Sequence, residues 1–129
     1  MDQRDYRLAL GYTLDARERS HEAARATANQ KAEARGDAER ALISAETIVA
    51  AAEKRLDATQ ATRARAADIA PLRRAVAEAN ETLQKARTAV QEENFLEVPV
   101  ILEGIEARLA EATEEVERRV ALRTPRRRR

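Results

Sequence analysis

The fold of this chain turns on PLRRAVAEANETLQKARTAVQEENFLEVPVILEGIEARLAEATEEVERRVAL, residues Pro71–Leu122. Two runs of apolar residues lie back to back in it. The first is Leu72, Val76, Ala79, Leu83, Ala86 and Val90. The second is Val98, Leu102, Ile105, Leu109, Ala112 and Val116. Alternating steps of four and three place each run on one helical stripe. Between them Glu93-Asn94-Phe95 leaves room only for a tight reversal. The stretch therefore predicts an αα-hairpin, with helices over about 71–93 and 96–122.

Working backwards, the heptad continues through Leu42, Ala45, Val49, Ala52, Leu56 and Thr59, with Ile43 and Ile48 widening the stripe. A helix over about 38–66 follows. Ala67-Asp68-Ile69-Ala70-Pro71 marks the expected boundary, because the residue before proline is steered from the α region and proline suits a first turn. Asp68 is a candidate cap there. Pro99 is expected in the opening turn of the last helix. Gly104 falls mid-helix in this reading. The three helices are of similar length, roughly 35–45 Å at 1.5 Å per residue.

The first 36 residues have a different character. Tyr6, Leu10 and Leu14 form a short apolar stripe with Leu8 beside it. Beyond Asp15 the large apolar residues give way to Ala23, Ala24, Ala26, Ala28, Ala32 and Ala34 among charges. Alanine sustains a helix but buries little area. A single glycine costs a helix only ~1 kcal/mol, so the helix is expected to run on through Gly36. A break there, with Asp37 capping a new helix, is the alternative.

Together these features predict an all-α protein: an antiparallel three-helix bundle with coiled-coil-like heptads and a long N-terminal helical arm. The arm is continuous with the first bundle helix or forms a fourth. The expected divisions are 1–36 for the arm, 37–123 for the bundle and 124–129 for a basic tail. Composition agrees. The chain has 29 alanines and 23 Leu, Ile and Val residues, but two Tyr, one Phe and no Trp. With three Gly and three Pro, it lacks the turn formers and aromatic runs of a sheet protein.

The net charge of +1 conceals an asymmetry. Seven arginines fall after residue 117 with no acid after Glu117, leaving 17 basic against 23 acidic residues before them. The body is acidic and the end cationic. Arg118, Arg119, Arg123, Arg126, Arg127, Arg128 and Arg129 are thus the candidate contacts for an anionic partner, since guanidinium groups pair bidentately with phosphate or carboxylate. No aromatic residues interleave to stack bases. Nucleic acid, an acidic protein surface and a purely solubilising tail all fit this run.

Other chemistry finds little support. Glu18 and His21, at Glu-x-x-His spacing, share a helix face as in carboxylate-bridged metal bundles. With one histidine in the chain and charged neighbours, they read as a solvated surface. There is no phosphate-cradling glycine loop and no nucleophile elbow. Acidic pairs such as Glu92-Glu93 are adjacent, so they diverge by about 100° around a helix. No enzyme, cofactor, metal site or small-molecule substrate is expected. With no cysteine there is no disulfide framework.

No signal peptide or membrane-spanning run is visible. A cytoplasmic or virion protein is expected, or an envelope protein if a leader precedes this sequence. The stretch Ala86–Glu97 resembles the helix–turn–helix junction of tetratricopeptide-type repeats over about a dozen residues, but the helices exceed that unit and no period of about 34 residues recurs. The texture is also similar to that of Ala-rich helical hairpins of bacterial envelope proteins. Neither resemblance implies a function. The sequence points to a non-enzymatic interaction protein that self-associates or docks into a larger assembly, with Tyr6, Leu10 and Leu14 as candidate partner contacts. A phage scaffolding or minor structural protein, and a small nucleic-acid-associated protein acting through its arginines, are the alternatives.

Overall fold

A computed structural model describes residues 2–123. Among these there are four helices and no strand: α1 (Gln3–Ala61), α2 (Ala66–Gln91), α3 (Glu97–Leu102) and α4 (Ile105–Arg123). The chain divides into two compact units, Met1–Gly36 and Asp37–Arg129. The tail expected at 124–129 lies outside the described residues.

In the first unit, α1 is helical from Gln3 and its helical hydrogen bonding continues through Gly36. Residues 2–33 are all exposed. Gly11 has open space where a Cβ would stand.

The second unit is an all-α bundle. The C-terminal half of α1, α2 and the α3–α4 pair surround one apolar core. Val49 and Leu56 from α1 meet Ile69, Leu72, Val76 and Leu83 from α2 and Ile105, Leu109 and Val116 from α4. Leu72, Val49, Val98 and Val116 are the largest fully buried side chains. Each such side chain contributes roughly 1.5–3 kcal/mol by leaving water. Alanines at 45, 52, 79 and 112 fill the layers between them and let the backbones approach closely, most of all between α2 and the C-terminal pair. Phe95 and Val98 are buried beside the second reversal.

The first turn falls at Thr62-Arg63-Ala64-Arg65, not at Ala67–Pro71. Arg63 takes the left-handed backbone, with φ 58°, and its N–H donates to the Gln60 carbonyl at 3.0 Å. Thr62 Oγ1 donates to the Thr59 carbonyl at 2.6 Å. α2 therefore begins five residues before Pro71, which lies inside the helix. Asp68 makes no cap. It is buried and pairs with Arg123, Nε to Oδ1 at 3.4 Å.

The second turn is a Schellman arrangement. Glu93 is left-handed, with φ 61°. Its N–H donates to the Val90 carbonyl at 3.1 Å, while Asn94 N–H reaches the Ala89 carbonyl at 2.8 Å. These bonds satisfy the last carbonyls of α2, with glutamate where glycine is usual.

The final helix is also interrupted. Gly104 is not mid-helix: it has φ 80° and separates α3 from α4. Arg108 bridges the break, donating from Nε to the Gly104 carbonyl at 3.3 Å and from Nη2 to the Glu103 carbonyl at 3.2 Å.

Candidate functional site

The residues proposed for partner contact fall into two groups. The first lies on α1. Tyr6, Leu10 and Leu14 are 62%, 49% and 55% exposed. Four-residue steps hold them on one stripe. Leu8 and Tyr12 are exposed as well. At 100° per residue these two lie on the opposite side of the helix. Leu8 is expected only beside the first stripe, and Tyr12 belongs to no expected contact. The signal was there in the alternation of large apolar residues at 6, 8, 10, 12 and 14, which a helix splits between two sides.

The second group is the arginines after residue 117. The structure separates them. Arg119 and Arg123 are engaged within the bundle. Arg119 Nη1 donates to the Ala67 carbonyl at 3.2 Å, and its Nη2 pairs with Glu115 one turn back. Arg123 pairs with buried Asp68. Arg118 is exposed. Arg126, Arg127, Arg128 and Arg129 lie outside the described residues.

Two arginines not expected at any site join Arg123. A cleft of about 520 Å³ opens at the α1–α2 turn, lined by Thr62, Arg63, Ala64, Arg65, Asp68, Val120 and Arg123. Arg63 and Arg65 come from a turn with neither proline nor glycine, so no turn signal pointed to them. Among the described residues neither has an ion-pair partner. The lining of the cleft thus holds three arginines and one carboxylate, Asp68.

Two other grooves are less concentrated in charge. One of about 460 Å³ runs between α2 and α3 and mixes Glu81, Glu92 and Glu97 with Lys85 and Ile101. Another of about 380 Å³ lies between α1 and α4, where Arg55 pairs with Glu117. Other cross-helix links are polar and exposed: Arg87 pairs with Glu46 at 3.0 Å, and Asn80 donates to Glu53 at 2.9 Å. Exposed pairs of this kind contribute about 0–1 kcal/mol each.

Glu18 and His21 are both exposed on α1. Among the described residues no group of three or more His, Cys, Asp or Glu side chains is placed to hold a metal ion. No described helix is long and apolar enough to cross a membrane. Chemically, the α1 stripes offer area to an apolar partner, and the cleft offers N–H donors to an anion. No family model, curated protein or solved structure matches this chain.

Proposed function

We propose that this is a non-catalytic helical protein that associates with copies of itself through the first turns of α1. The observation that carries this reading is the exposure of Tyr6, Leu8, Leu10, Tyr12 and Leu14 within nine residues. Single exposed apolar residues are ordinary, but five within nine residues, in stripes on two sides of one helix, are of the kind that marks interaction surfaces.

Charge supports a second copy as the occupant. Residues 1–36 carry seven Lys and Arg against six Asp and Glu. Each copy is left at +1, so two such helices meet with little net repulsion. Alanines continue along the helix past Asp15, and small residues permit helices to lie close together. The two stripes on opposite sides of α1 call for a neighbour on each side. The bundle of residues 37–123 then serves as a folded body carried by the assembling helix.

Removal of residues 1–35 tests this reading. The truncated chain retains every residue of the apolar core, so it keeps a cooperative thermal transition. Its mass by light scattering falls to that of one chain, whereas the full chain is heavier. Equal numbers of chains per particle with and without residues 1–35 would refute the reading.

A further inference from the structure

We infer that the cleft at the α1–α2 turn is a phosphate-binding site, with Arg63, Arg65 and Arg123 as its donors. This is a separate surface from the α1 stripes and does not depend on self-association.

Three arginine residues line one open cleft of about 520 Å³. Like charges on neighbouring residues repel, and an anion between them relieves the repulsion. The one carboxylate in the lining, Asp68, is committed to Arg123 through Nε. That pair leaves the cleft with an excess of two positive charges. A phosphate group carries close to two negative charges at neutral pH, whereas one carboxylate would balance half of the excess. The planar N–H fork of arginine also matches the oxygens of phosphate.

Position and size agree. Arg63 and Arg65 flank Ala64 in the turn, and Arg123 ends α4 at the same cleft. Asp68, buried at 5% exposure, acts as a positioning residue that holds Arg123 over the cavity. The cleft is open to solvent on one side. A phosphate group has room there without displacing a side chain. Free oligophosphate and the backbone of a nucleic acid both supply this chemistry.

The test uses the full chain in low-salt buffer, with two probes: inorganic pyrophosphate followed by calorimetry, and a labelled single-stranded DNA oligonucleotide followed by anisotropy. The decisive variant is Arg63→Gly with Arg65→Gln. Glycine adopts the left-handed backbone at residue 63 without strain, so weakened binding in this variant is not a folding defect. A control, Arg17→Gln with Arg19→Gln, removes the same charge from the exposed part of α1.

The site predicts at least tenfold weaker pyrophosphate binding in the cleft variant, an unchanged thermal midpoint or a higher one, and less than twofold change in the control. DNA bound in competition with pyrophosphate makes the nucleic-acid backbone a source of the ligand; pyrophosphate binding without DNA binding makes it a free phosphate compound. Equal losses in both variants would show nonspecific charge attraction and overturn the site. Absence of pyrophosphate binding to the unaltered chain, or equal binding of polyglutamate, would also overturn it.

Discussion

Arg119 donates from Nη1 to the carbonyl of Ala67 at 3.2 Å, and that carbonyl is the one Pro71 leaves without its helical donor. Proline has no N–H to give to the residue four positions back. The side chain from α4 supplies the missing bond and ties the start of α2 to the end of the chain. This explains how proline is accommodated inside α2. It predicts a coupling. Arg119→Ala should cost about 0.5–1.5 kcal/mol, and less when combined with Pro71→Ala, which restores the main-chain donor. A double-mutant cycle by urea denaturation measures it. Additive effects would show that Arg119 does not replace the lost bond.

Leu72 and Leu122 offer a sharper contrast in burial. Leu72 is fully buried among α1, α2 and α4, while Leu122 is among the exposed large apolar residues. Leu72→Ala should cost about 2–5 kcal/mol through lost transfer energy and the cavity left behind. Leu122→Ala should stay within about 0.5 kcal/mol. Chemical denaturation of the two variants checks the difference. Similar losses would place the core elsewhere.

The glycines at 104 and 11 should respond in opposite directions to alanine. At Gly104 a Cβ meets only the side chain of Arg108, at 3.6 Å, so there is space. The φ of 80° is the obstacle, and an L-residue there costs roughly 1–2 kcal/mol. At Gly11 the backbone is helical and nothing lies within 4 Å of the added Cβ. Alanine there favours the helix by about 1 kcal/mol. Gly104→Ala is expected to lower the melting temperature, and Gly11→Ala to raise helicity by circular dichroism. A Gly104→Ala variant as stable as the parent would remove the conformational argument.

The bundle was legible because its signal is periodic. Leu72, Val76, Ala79, Leu83 and Ala86 are buried as the heptad requires, and so are Val98, Ile105, Leu109, Ala112 and Val116. Val49 and Leu56 complete the core as expected. Val90 and Leu102 are only half-buried, and Ala89 takes the inward position. Both lie at the ends of their helices, where the stripe runs out.

The turns were less legible. Pro71 looked like a boundary because proline usually opens a helix, but a distant arginine satisfies the carbonyl it frees. The true turn holds arginine in the left-handed region, a conformation that sequence assigns to glycine or asparagine first. Missing that turn also hid the cleft. Arg63 and Arg65 fall inside the helix expected over about 38–66, and only the antiparallel return of α4 brings Arg123 to the same cleft. Tyr6, Leu10 and Leu14, by contrast, were legible as a stripe and are exposed as such.

Sedimentation equilibrium of the full chain beside a Leu8→Asp, Leu10→Asp variant, with one substitution in each stripe, tests self-association through α1 most directly. Both substitutions fall in the exposed unit and leave the bundle core untouched. The account predicts a native particle of several chains that falls to the single-chain mass of 14.4 kDa in the variant. A native chain that sediments as one chain, or a multimer that the two aspartates leave intact, would contradict it.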